Sequence, residues 1–294
     1  MSILLALALQ VGPNPMGGGM PSDDIVRDRP PRPDAMQQPD EAEAEAPLNA
    51  TSAWLAGCLA QLDEDPARAH AMAQIRRSET TGTDRVLANH CLGTAASALG
   101  LWEDAREAFT AARAETPEAE PRTRARFAAL AGAAALGAGD AAGAEGLLTL
   151  AEADARDGKA TLLEAIAATD RARALVALGR AEEALPALEN ATTLAPTRPE
   201  GWLLKATLLR RLERLAEAQA AIETAATVAA ADPEIALEAG VIAVLAGRDD
   251  AARKSWQSVL DLAPESPAAD TARGYLAQLG DAGETAPAVE GPAS

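Results

Sequence analysis

The chain has 294 residues and a formal net charge of −18, with 48% hydrophobic but only 2% aromatic residues. So strong an acidity excludes the basic footprint of a nucleic-acid binder and attraction to an anionic membrane surface, and its plainest consequence is solubility. With aromatics scarce, alanine and leucine must build the core. Both are strong helix formers, so the ordered part is read as all-α.

The chain opens MSILLALALQVG, and the apolar run within residues 1–11 is too short to cross a bilayer. It has the length of a secretory signal's apolar region, although no Lys or Arg precedes it, and export to the periplasm or the extracellular space is expected. The alternative is an apolar N-terminus on a cytoplasmic protein. No cysteine directly follows the run, which argues against a lipoprotein anchor. Residues 12–48 are rich in Pro, Gly and acid and are read as a linker that cannot bury enough apolar area to order itself. Residues 49–280 read as paired helices, and residues 281–294 as a tail of the linker's kind.

The helical part repeats a spacing: a turn glycine, an alanine five positions on, and a large apolar residue four further. Gly100, Ala105 and Phe109 form the best copy. Gly139, Ala144 and Leu148, then Gly179, Ala184 and Leu188, then Gly247, Ala252 and Trp256 follow it. A fifth copy has Glu213 in the glycine's place, with Ala218 and Ile222. A period of this size means a solenoid of helical hairpins.

The letters resemble the tetratricopeptide repeat. Its first helix carries a Leu-Gly-type pair, and its second an alanine, a large residue, another alanine and a closing proline. Leu92, Gly93, Ala96, Ala105, Phe109, Ala112 and Pro117 match that pattern, as do Ala239, Gly240, Ala243, Ala252, Trp256, Val259 and Pro264. The small residue of the first helix recurs at Gly57, Gly93, Gly132, Ala172, Ala206 and Gly240, in steps of 36, 39, 40, 34 and 34. The last two equal the family period, and the longer middle steps predict extended helices or loops near Pro117–Pro121 and Asp157–Gly158. Pro186 falls inside a second helix, where it is expected to remove a hydrogen bond and kink it. Ser266-Pro267 starts a last helix whose Ala272, Tyr275, Leu276 and Leu279 form one apolar stripe, the cap such an array needs. Trp102, Phe109, Trp202 and Trp256 are assigned to the core. The resemblance implies a right-handed α-α superhelix, a TPR-like solenoid of about six helical hairpins plus a C-terminal capping helix.

No pattern for catalysis, phosphate binding or metal ligation stands in the chain, so it is expected not to be an enzyme and to use neither cofactor nor metal. The two cysteines, Cys58 and Cys91, fall on the first helices of adjacent repeats, which are neighbours in the family. They are either a disulfide suited to an exported protein or two buried thiols. A metal site at His90 and Cys91 is disfavoured, because adjacent residues on a helix point apart. The family binds through the concave face of its first helices. That face maps here to Trp54, His90, Arg126, Arg173, Arg210 and Arg211, set among apolar Ile166, Val176, Leu203, Leu237 and Val241. The Lys and Asn with which some members clamp a chain terminus are absent. A protein or peptide segment held in this groove is the expected ligand. Self-association through the same faces, or service as a regulatory module of a separately encoded enzyme, are the alternatives.

Overall fold

The structure is a computed structural model, and it describes residues 50–284. The expected signal region, the linker and residues 285–294 of the tail lie outside the described residues. Within them are thirteen helices: α1 (Ala50–Glu64), α2 (Pro66–Glu79), α3 (Thr83–Ala98), α4 (Trp102–Glu115), α5 (Pro121–Gly137), α6 (Ala141–Asp157), α7 (Thr161–Ala177), α8 (Ala181–Leu194), α9 (Pro199–Arg211), α10 (Leu215–Val228), α11 (Pro233–Leu245), α12 (Asp249–Leu262) and α13 (Pro267–Glu284). They make six hairpins of a first and a second helix, closed by α13, and among the described residues there is no strand. The two stretched steps of the repeat are taken up by α5, α6 and α7, each 17 residues long. The last helix runs past Gly280, so the tail begins later than the composition shift suggests.

One contact builds every hairpin after the first. A β-carbon added at Gly93 would stand 2.6 Å from the Phe109 ring, one at Gly132 would stand 2.5 Å from Leu148, and one at Gly240 would stand 2.1 Å from the Trp256 indole nitrogen. In each pair the large residue lies sixteen positions after the small one. The same offset joins Ala172 to Leu188 and Ala206 to Ile222, all four of them buried. The missing side chain on the first helix is the volume that the second helix fills, which lets the two backbones approach closely. In the first hairpin the partner of Gly57 is Ala73, and a β-carbon at Gly57 would meet nothing within 4 Å. The array therefore starts on its most loosely filled unit.

The turn between the two helices is also repeated. Gly100, Gly139, Gly179 and Gly247 have φ between 70 and 77°, the left-handed region that glycine enters without strain. The backbone N–H that follows each one closes onto the first helix, as Leu101 does onto the Ala96 carbonyl at 2.8 Å. Glu213 holds the same place at φ 61°, and Arg214 donates to the Leu209 carbonyl at 2.9 Å. A side chain there costs about 1–2 kcal/mol, partly offset by the entropy that glycine gives up on folding. Glu213→Gly is expected to raise the unfolding free energy by about 0.5–1 kcal/mol in urea titration; an unchanged or lower value would show that the turn is relaxed.

Caps behave as their letters suggest. The Asp232 carboxylate accepts from the N–H groups of Glu234 (2.9 Å) and Ile235 (3.3 Å) ahead of Pro233, and Ser266 Oγ accepts from Ala269 (3.1 Å). The α8 helix continues through Pro186, which lies on its exposed side, so the missing N–H falls where water can serve the free carbonyl. Trp102 departs from its core assignment: it is 38% exposed, and its ring lies over Gly137 at the end of α5. It opens α4 outside the hairpin contact, so it caps an edge instead of filling the interior.

Consecutive first helices pack on one another, α1 on α3, α5 on α7, α9 on α11 and α11 on α13, whereas consecutive second helices stand farther apart. This difference curves the array with the first helices on its inner face. The α13 helix seals the C-terminal end, where Tyr275 meets the Trp256 ring at 5.1 Å.

Candidate functional site

The inner face is built by the outward positions of the first helices. Ile166, Val176, Leu203 and Leu237 are half-buried there, and Val241 is buried. The six residues that the sequence assigns to this face prove to be of three kinds.

Two arginines are already held by carboxylates of the chain itself. Arg173 on α7 pairs with Asp170 on its own helix and with Glu200 at the start of α9, and Arg198 joins Glu200 at 2.9 Å. Arg210 on α9 takes Glu238 on α11 through both of its ends, at 2.6 and 3.3 Å. Burial pushes the Asp170 carboxyl up, against the pull of Arg173. Burial also opposes the Glu200 charge, but Arg173 and Arg198 together hold that carboxyl below its ordinary range. These bonds stitch successive first helices together. Arg173 and Arg210 would have to give up a charged partner before either could take a carboxylate from outside.

Two arginines are free. Arg126 on α5 and Arg211 at the end of α9 are exposed, and no carboxylate lies within ion-pair distance of either among the described residues.

The remaining two are enclosed. The Trp54 ring on α1 is half-buried, with the Arg76 guanidinium 5.5 Å above its centroid. His90 on α3 is 8% exposed and stands edge-on to Phe127 of α5, with ring centroids 5.5 Å apart. Burial first, and the Arg126 charge second, lower its pKa to about 4, so the imidazole is neutral at neutral pH.

Cys58 of α1 and Cys91 of α3 are joined by a disulfide, both fully buried, with Cα atoms 6.4 Å apart. The described residues contain no group of acidic, His and Cys side chains placed to hold a metal, and no helix long and apolar enough to cross a membrane. The partners that the sequence missed are Asp170, Glu200 and Glu238 as internal counter-ions. The Arg173–Glu200 and Arg210–Glu238 pairs are separated by 27 and 28 residues, just under one repeat. That spacing is the signal that was available.

A stack of helical hairpins with an apolar, arginine-bearing inner face defines an α-α solenoid. Residues 165–208 match the tetratricopeptide repeat family. Among solved structures, the chain is similar to PilF of Pseudomonas aeruginosa, at 16% identity over 78% of this chain and 97% of that one, with a TM-score of 0.60. It is similar to PilW, a widely conserved type IV pilus biogenesis factor, at 15% identity over 76% and 99%, with a TM-score of 0.62. MamA of Desulfovibrio magneticus RS-1 resembles it over 64% and 99% at 15% identity and a TM-score of 0.52. Identities this low speak to the fold. No curated protein matches the sequence. Residues 165–208 thus carry a tetratricopeptide-type repeat, and the likeness to these structures shows the helical-repeat fold of the array.

Proposed function

We propose that this protein is a non-catalytic scaffold that holds a segment of a partner protein against the inner face of its superhelix. The observation that carries the proposal is the pairing, on one face, of half-buried Ile166, Val176, Leu203 and Leu237 with the unpaired Arg126 and Arg211. Large apolar side chains left partly in water beside free donors suit a bound segment with an apolar side and some acid. Charge reversal at Arg173 or Arg210 is a poor probe, since it would break bonds between helices. The test is recovery of partners from the native host with Leu203→Asp/Leu237→Asp, compared with the unaltered chain by quantitative mass spectrometry and with helicity checked by circular dichroism. Proteins retained by the unaltered chain and lost from the folded variant support the groove. An identical set rejects it.

Self-association is the second reading, favoured by Leu99, Leu101 and Trp102, which leave an exposed apolar edge beside α4. A sedimentation coefficient that rises with concentration, and stops rising with Trp102→Asp, would favour it. Export is part of the proposal, supported by the buried disulfide, a bond that oxidising compartments preserve. Service to a type IV pilus is stated for PilW and is not carried over.

A further inference from the structure

The first helices are linked in different ways along the array. Between α7 and α9 the link is Arg173 with Glu200, and between α9 and α11 it is Arg210 with Glu238. Between α1 and α3 it is the Cys58–Cys91 disulfide, which uses both cysteines of the chain. An ion pair holds in any redox environment, and a disulfide does not.

The rest of α1 is weakly held. Apart from Cys58, its described side chains are half-buried or exposed, and a β-carbon at Gly57 would meet nothing within 4 Å. Ala53, Ala56, Gly57 and Ala60 are exposed, so nothing among the described residues covers the outer side of the helix. Its two acids, Asp63 and Glu64, make no ion pair with another helix among the described residues. Asp65 alone separates α1 from α2. The α2 helix, by contrast, is tied down without sulfur. Ala69 and Ala73 are fully buried, Arg77 reaches Glu107 of α4 at 2.8 Å, and Arg76 reaches Asp84 of α3 at 3.0 Å. The Asp65 carboxylate accepts from the Arg68 N–H at 3.0 Å, so α2 carries its own cap.

We propose that the Cys58–Cys91 disulfide is a redox latch: a dithiol reductant opens it and frees α1 to swing about Asp65, while α2 to α13 stay folded. A thiolate of the reductant attacks one sulfur of the bond, and the other sulfur leaves as a thiolate and takes a proton. The second thiolate of the reductant then resolves the mixed disulfide. Two electrons and two protons pass to Cys58 and Cys91, and the dithiol leaves as its own disulfide. Both sulfurs are fully buried, so attack waits for α1 to lift, which its thin packing allows. With the bond cut, the lost loop closure over a separation of 33 residues favours the lifted helix by roughly a hundredfold. The lifted helix uncovers Cys91 and Leu92 on α3 and takes Trp54 with it. The N-terminal end of the inner face is then complete only in the oxidised protein. That consequence for binding rests on the groove reading above, whereas the latch itself does not.

The full-length protein is compared before reduction, after dithiothreitol, and after re-oxidation with oxidised glutathione, the thiols being counted by mass after alkylation. Once reduced, the α1 amides are expected to exchange roughly tenfold faster or more, with α7 to α13 unchanged, and to recover on re-oxidation. The Trp54 indole resonance should move while those of Trp202 and Trp256 hold. Cys58→Ser/Cys91→Ser should match the reduced protein and ignore dithiothreitol. Unchanged α1 exchange in fully reduced protein would overturn the latch. So would a bond that resists dithiothreitol in the folded chain, protection lost from α7 to α13, failure to recover, or a response of the double variant to dithiothreitol. None of these outcomes touches the groove proposal, which is judged on oxidised protein by the Leu203 and Leu237 variant.

Discussion

Phe109→Ala is expected to lower the unfolding free energy by about 3–5 kcal/mol, the usual cost of emptying a buried aromatic site. Phe109 is 2% exposed and is packed in a cluster with five alanines, Val86 and Phe127, with Leu130 and Leu147 against it. Gly93 opposite has no side chain, and the alanines of the cluster have no rotamers with which to reach into the space, so neighbours can fill the cavity only in part. The hairpin that loses its filler is also the one that joins the first two helices to the rest of the array. Urea titration followed by helicity measures the loss, and amide exchange shows where it falls. Protection should drop from α1 to α5 while α9 to α13 keep theirs, because each repeat contacts only its neighbours. Phe109→Leu tests the same contact more gently. It copies the Gly132–Leu148 pair found one repeat later, and it should cost about 1–1.5 kcal/mol. A loss below about 1 kcal/mol for the alanine variant would mean that the Gly93–Phe109 contact does not hold this hairpin together.

That contact was readable in the sequence because both of its halves are local. Gly93 and Phe109 belong to one hairpin, and the same letters return at Gly132 and Leu148 and at Gly240 and Trp256. A repeat multiplies the signal, so fold class, register and capping helix all followed from a few spacings. The inner face was legible only as positions. Arg126, Arg173, Arg210 and Arg211 carry the same letter at similar places on their helices, and periodicity cannot tell a free guanidinium from a paired one. What separates them is the next repeat, where Glu200 and Glu238 stand within reach of Arg173 and Arg210. His90 shows the same limit: a lone histidine on a first helix reads as an exposed groove residue, and only the arrival of Phe127 from α5 encloses it. Trp102 fails in the opposite direction, because a large residue near a core pattern was read as core, while its place at the helix start leaves it at the edge.

Removal of the disulfide by Cys58→Ser/Cys91→Ser is expected to destabilise by about 2–4 kcal/mol, with the effect confined to one end of the molecule. The bond closes 33 residues of chain, and loop-closure entropy for that length is worth about 3–4 kcal/mol. Few apolar contacts stand behind it. Cys58 is the one fully buried side chain described on α1, supported by half-buried Trp54, Leu55 and Leu59, and the place opposite Gly57 holds only Ala73. The α1 helix therefore depends on its crosslink as no later helix does. Loss of the bond should release α1 and uncover Ala88, Leu92 and Ala95 on α3, while α5 onward keeps its unfolding transition. Amide exchange of the double variant provides the measurement: rapid exchange through α1 with unchanged protection in α7 to α13. Thiol titration of the unreduced, denatured protein tests the bond itself, for which no free thiol is expected. Two reactive thiols, or a variant that keeps α1 protected, would show that packing alone holds the first helix.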